Sequence, residues 1–249
     1  MSRLQKNLRR GLLICVTGGL ALGSAAGVAD AADPPRKEVT LSDGRTVSRW
    51  AYAQTAATVR AAPSFDARPV GRLRYLTEDG QPEPYVALTK AYIPSSRMTW
   101  IKVPLAKRPN GVTGWVPVRA LGSLQVVHGR LVVDRSRLRA TLFDGDGRTI
   151  WSARIGVGRR SLPTPAGHFY VREKLRAIGS PVYGPFAIGT SAYAPTLSDW
   201  PGGGVVGIHG TDQPGLIPGR PSHGCVRLRN ADITRLWHLI AVGTPIDIT

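Results

Sequence analysis

Gly207-Ile208-His209-Gly210-Thr211 and, a short loop later, Pro221-Ser222-His223-Gly224-Cys225-Val226-Arg227-Leu228 are the stretches from which this sequence is best read. A thiol at neutral pH is mostly protonated and the thiolate is the reactive form, so a cysteine nucleophile needs an imidazole or a cationic surrounding. His209 and His223 both precede Cys225 closely, and Arg227 follows two positions later. If Cys225-Val226-Arg227 is extended, Cys225 and Arg227 point to one face, where the guanidinium holds an anionic group near the sulfur. Gly224 leaves the backbone free to aim N–H groups inward, and amides around Cys225 then form an oxyanion hole.

Working outward, one helix is clearly written. Asn230 is a suitable N-cap and Asp232 faces the positive end of the dipole. Ile233, Leu236, Trp237, Ile240 and Ala241 recur on one apolar face, Gly243 is the natural residue after the helix, and Pro245 prevents continuation. Strands are expected over Val126–Val133, Leu138–Phe143, Thr149–Gly156, Gly167–Val171 and Pro245–Ile248. Asp144-Gly-Asp-Gly147 is a hairpin turn, since Asp and Gly accept positive φ. Gly- and Pro-rich loops are expected over most of 179–207, and the prolines at 214, 218 and 221 make the loop before Ser222 a stiff rim of the cleft. Short β-like pieces at Thr58–Arg60, Tyr85–Leu88, Met98–Val103 and Gly114–Val118 fill the first half. The fold class is therefore mainly β, with one main helix near the C-terminus.

Residues 209–210 and 222–227, in this order, resemble the active-site signature of the L,D-transpeptidase catalytic domain (YkuD) family: H-G, a loop, then [S/T]-H-G-C-hydrophobic-R. Gly243-Thr-Pro-Ile246 is similar to the G-T-P-hydrophobic run that follows the helix in that family, and Thr164-Pro-Ala-Gly-His-Phe169 to its T-P-x-G-x-F. The resemblance covers about residues 124–249. It implies a mostly antiparallel, β-sandwich-like catalytic domain in which Cys225 attacks the carbonyl between an L-centre and a terminal D-residue of a peptidoglycan stem tetrapeptide. His209 would take the thiol proton and later deprotonate the acceptor amine. His223 and Gly224, with Cys225, would line the oxyanion hole through backbone N–H groups, Ser222 would support the loop, and Arg227, Gly210 and Thr211 would bind substrate. Release of D-alanine and capture of the thioester by a second stem would give a 3-3 cross-link. No cofactor and no metal is implied; donor and acceptor stem peptides are the partners, and the protein is expected to be a monomer.

Ala57-Thr-Val-Arg-Ala-Ala-Pro63 and Gly114-Trp-Val-Pro117 resemble the two ends of a bacterial SH3-like domain. The expected organisation is a signal peptide over 1–31, an SH3-like accessory domain over 32–122 that binds or positions, and the catalytic domain over 123–249. Arg3, Lys6, Arg9 and Arg10 precede an uncharged small-residue run, Gly11–Val28, and Ala29-Asp30-Ala31 offers a cleavage site. This points to export, to periplasm or cell wall, with membrane contact only through the signal.

The net charge is +17 and only 20% of residues are charged, with the cations scattered singly. An exported basic chain meets anionic walls first, and no nucleic-acid module is written here. Exported proteins usually pair cysteines or avoid them, which makes a single Cys225 after the signal notable. Other readings stay open on the residues. Water in place of the acceptor would make an L,D-carboxypeptidase or amidase. A metal site of His209, His223 and Cys225 lacks the paired spacings of such sites. A non-catalytic wall-binding protein would leave Cys225 idle. His168, His128 and His238 read as surface or packing residues, and Trp200 as a cleft aromatic or loop anchor.

Overall fold

The computed structural model describes residues 37–176, 179–197 and 203–249; the expected signal segment and Trp200 lie outside them. The first half holds β1 (Lys37–Thr40), β2 (Val47–Tyr52), β3 (Thr58–Arg60), β4 (Pro69–Arg72), β5 (Pro84–Val86), β6 (Thr89–Ile93), β7 (Met98–Pro104) and β8 (Thr113–Pro117). The second holds β9 (Gln125–His128), β10 (Arg130–Asp134), β11 (Arg139–Phe143), β12 (Thr149–Arg154), β13 (Gly156–Gly158), β14 (Gly167–Arg176), β15 (Phe186–Tyr193), β16 (Val205–His209), β17 (Gly219–Ser222), β18 (Val226–Arg227), α1 (Asn230–Leu239) and β19 (Pro245–Ile248). The protein is mainly β, largely antiparallel, with its one α-helix among the described residues near the C-terminus.

Six strands of the first half pair in the order β1-β6-β7-β8-β3-β4 around Val59, Leu73, Ile101, Val103 and Val116. The second half forms a ten-stranded sheet ordered β12-β11-β10-β19-β14-β15-β16-β18-β13-β17. Period-two alternation sends Leu131 and Val133, Ala140 and Leu142, Trp151 and Ala153, and Ile246 and Ile248 to one buried face. α1 adds Ile233, Leu236 and Trp237 to the same core. β14 joins two parts of the sheet: Gly167–Tyr170 pair with β19, and Val171–Arg176 with β15.

Three expectations are corrected. The strand expected over Val126–Val133 is two strands with different partners, β9 on β2 of the first half and β10 on β11. Gly129 turns the chain between them at φ +91°, and a Cβ there would sit 2.1 Å from the Phe143 carbonyl oxygen. Asn230 does not cap α1. Arg229 holds the cap position without a side-chain bond to the helix, while Asn230 Oδ1 accepts the Thr211 N–H at 2.9 Å. Thr211 is buried and its N–H is cut off from water, whereas an exposed helix start is solvated, so the amide oxygen goes to the loop. Within the expected loops of 179–207 lies β15, whose residues Ala187–Tyr193 are all buried. A strand covered on both faces has no polar alternation to betray it.

The two halves meet through Trp50 of β2, which packs with Val86, Tyr170 and Val242. α1 ends at Leu239, and Gly243 lies beyond it with its Cα against the Trp50 indole: a Cβ would lie 2.1 Å from Trp50 Cδ1. Gly243→Ala should therefore destabilise by about 1–3 kcal/mol through overpacking. Urea unfolding measures this, and a wild-type midpoint would show that the indole moves aside freely.

Candidate active site

Alternation along two neighbouring strands builds the site. β16 sends Val206 and Ile208 into the core, and β18 sends Val226, with Leu228 after it. Gly207 and His209, and Cys225 and Arg227, are thereby left to the opposite side. β16 and β18 run parallel, with Ile208 beside Val226 and His209 beside Arg227. The Gly207 N–H points at Cys225 Sγ, 3.4 Å away. His209, Ser222, His223, Gly224, Cys225 and Arg227 all line one cavity of about 110 Å³. Val182 and Tyr183 with Ala194, Leu197 and the Gly204–Val206 stretch complete its lining.

His209 is 4% exposed, and the Tyr183 ring stands edge-on to the imidazole at 4.9 Å. Its Nδ1 lies 2.7 Å from the Gly210 carbonyl oxygen. A carbonyl only accepts, so Nδ1 carries the proton and Nε2 keeps a lone pair. Burial pushes the imidazole pKa down to about 4; the Gly210 carbonyl opposes this and the Arg227 guanidinium adds to it. The Cys225 thiol is half-buried. Burial pushes it up from its ordinary value, against the Gly207 N–H and the Arg227 charge, which both favour thiolate. At neutral pH the resting pair is thus a thiol and a neutral imidazole, with no standing ion pair between them.

The turn carrying Cys225 is tied internally. Ser222 Oγ donates to the Cys225 carbonyl at 2.6 Å and accepts the Gly224 N–H at 3.1 Å. Thr164 Oγ1 donates to the Gly224 carbonyl at 2.7 Å and accepts the Gly158 N–H at 2.9 Å, linking the turn to β13. Gly224 has φ +131°, a conformation other residues avoid. Its N–H, expected in an oxyanion hole, is engaged by Ser222 in this structure, so Gly224 shapes the turn here.

Arg227 stays on the cavity side, where its charge bears on both His209 and Cys225. Gly210 and Thr211, expected to bind substrate, do not line the cavity. A Cβ on Gly210 would meet Asn230 Oδ1 at 2.3 Å, and Thr211 is 1% exposed with its N–H on the same oxygen. The Gly210 carbonyl holds the His209 ring through Nδ1, and Thr211 is tied to Asn230. The proline loop is no rim either: it leads into β17, which pairs with β13, and only Ser222 at its end reaches the cavity. Thr164 and Tyr183 are the contributors that the residue pattern left without a role. Thr164 was signalled by its motif, whereas Tyr183 sits in a stretch with no periodicity to place it. His168 is exposed, with Nδ1 2.7 Å from Asp247 Oδ1.

Residues 128–248 match the model of the YkuD family, the L,D-transpeptidase catalytic domain. The putative L,D-transpeptidase YqjB of Bacillus subtilis is 30% identical over 127 residues, covering 48% of this chain and 69% of that protein. The putative L,D-transpeptidase YkuD of Bacillus subtilis is 36% identical over 94 residues, 38% of this chain and 50% of its own length. The chain thus spans about half the length of that relative. Among solved structures, the catalytic domain of the E. faecium L,D-transpeptidase is 25% identical with a TM-score of 0.37, over 49% of this chain and 96% of that one. With the signature residues gathered on one cavity and the match to YqjB spanning more than two thirds of that protein, this chain belongs to the YkuD family of L,D-transpeptidase catalytic domains.

Proposed function

We propose that the protein is an exported L,D-transpeptidase that joins peptidoglycan stem peptides through a thioester on Cys225. The observation that carries this reading is the His209 tautomer: with Nδ1–H committed to Gly210, Nε2 is left as a base on the cavity that also holds the only thiol of residues 32–249. In the proposed first step the Cys225 proton passes to His209 Nε2 as sulfur attacks the donor carbonyl. The resulting oxyanion is met by backbone N–H groups of the 223–225 turn; Gly224 joins them by giving up its bond to Ser222 Oγ. Collapse expels D-alanine, whose amine takes the proton from His209, and leaves the thioester. A second stem's amine then attacks, His209 takes its proton, and the thiol is restored as the 3-3 cross-link leaves. Arg227 supplies a cation beside the reacting centre, suited to a stem carboxylate.

In this reading residues 1–31 are the export signal, the protein works in periplasm or cell wall, and the region 32–122 is an SH3-like accessory domain. No cofactor, metal or nucleic acid takes part, and the protein acts as a monomer. Purified tetrapeptide muropeptides are the test, with products weighed and Cys225→Ala as control. The expected product is a dimer lighter by one D-alanine, absent with the variant. Tripeptide monomer without dimer would make the enzyme an L,D-carboxypeptidase, and no product from the intact protein would end the enzymatic reading on this substrate.

A further inference from the structure

Part of the lining of the cavity that holds Cys225 is fixed by side chains from the first half of the chain. β15 and β16 pair up to Tyr193 and Val205, and the Ala194 N–H donates to the Gly204 carbonyl at 2.8 Å. Ala194, Leu197 and Gly204, just past these strands, line the cavity. Carbonyls just past the last pair of this ladder are left without a partner from the ladder itself. Three of them accept from one side chain. Arg108 Nε donates to the Ala194 carbonyl at 2.8 Å, and Nη2 donates to those of Leu197 at 2.7 Å and Gly203 at 2.9 Å. The guanidinium also stands 5.1 Å from the Tyr193 ring centre. Asn110 pairs with the Tyr193 backbone as a strand would, Nδ2 to its carbonyl at 2.8 Å and its N–H to Oδ1 at 2.9 Å. Gly204 admits the arrangement, since a Cβ there would lie 2.3 Å from Arg108 Nη2.

We propose that Arg108 and Asn110, from the β7–β8 loop, are positioning residues that set this part of the lining and so govern access to Cys225 and the seating of the acyl donor. Neither touches the thiol or His209 in any bond described above. Their action runs through the backbone of Tyr193, Ala194, Leu197 and Gly203. Arginine suits the task because its planar fork offers several donors at fixed angles, which a lysine ammonium cannot reproduce across three separated carbonyls. A half of the protein that brings no reacting group thus shapes the cavity in which the reaction runs. The effect on donor seating rests on the transpeptidase reading above; the effect on thiol access does not.

The test uses the full chain with Cys15→Ser, which leaves Cys225 as its single thiol. Alkylation of Cys225 by iodoacetamide is followed at pH 9, and kcat and KM are measured on tetrapeptide, for Arg108→Ala, Arg108→Lys and Asn110→Ala. Losing the equivalent of one net hydrogen bond or more from the lining should speed alkylation by about tenfold and raise KM by a similar factor, with a smaller change in kcat. Arg108→Lys should recover little of either. A merely structural role predicts a lower melting temperature, with alkylation and KM unchanged well below it. Wild-type alkylation rates in folded Arg108→Ala and Asn110→Ala would overturn the proposal. If the intact chain yields no product from tetrapeptide, the transpeptidase reading fails, and the alkylation rates still decide the role of Arg108 and Asn110.

Discussion

His209→Asn should lower turnover by about 10² to 10⁴-fold, the usual contribution of a positioned general base, while making the fold less sensitive to acid. The second half follows from proton linkage. The imidazole is held at about 4 in the folded protein, against about 6.5 for a histidine in an unfolded chain. As pH falls below 6.5 the unfolded chain takes up a proton that the native site refuses, so wild-type stability declines and is lost progressively down to about pH 4. The full effect is roughly 3 kcal/mol. His209→Asn lacks this loss, and comparing the two proteins cancels every other titrating group. Urea midpoints at pH 7 and pH 4 measure it; equal acid sensitivity would mean that the buried imidazole titrates normally. The same electrostatics predict that Cys225 alkylation is slow at pH 7 and climbs above pH 9. Fast alkylation persisting to pH 5 would instead reveal a preformed thiolate and imidazolium.

The largest effect on stability is expected at Arg172. Its side chain is 0% exposed and Glu83 beside it is 1% exposed. Arg172 Nε donates to Glu83 Oε1 at 2.7 Å, and Nη2 contacts Glu83 Oε2 and donates to Glu78 Oε2 at 3.0 Å. Arg74 joins the same two carboxylates at 3.0 and 2.9 Å, and the Tyr193 hydroxyl donates to Glu78 at 2.6 Å. Arg172 lies on β14 and the glutamates in the first half, so this cluster fastens one half to the other. Desolvating such a group roughly offsets its internal attraction, but removing one partner leaves a buried charge uncompensated. Arg172→Met should therefore cost about 3–5 kcal/mol. Arg172→Met with Glu83→Leu should restore part of that loss, since the stranded carboxylate goes too. A single variant within 1 kcal/mol of wild type would show that water or Arg74 already compensates Glu83.

The pattern of the chain made much of the second half legible. β11, β12 and β19 show their alternation because one face is buried and the other is wet, and α1 shows its apolar stripe for the same reason. β15 and the junction at Gly129 stayed hidden. The former is buried on both sides, and the latter depends on which strand each neighbour meets. Adjacency to His209 in the chain places Gly210 and Thr211 near the site without saying which way they face, and Asn230 reads as a helix cap because its tertiary partner, the Thr211 N–H, lies far from it in sequence.

Chemistry that lies in residue types at short spacing was readable before any fold was known: a thiol, two imidazoles, an arginine two positions on, and a glycine at the turn. Such features rest on local stereochemistry and intrinsic reactivity, which neighbours in sequence control. The tie from Thr164 to the Gly224 carbonyl and the grip of Arg108 on three carbonyls arise between segments far apart in the chain. So does the burial that sets the His209 and Cys225 protonation states. Burial, the pairing of buried polar groups and the fields of distant charges exist only once those segments are packed together.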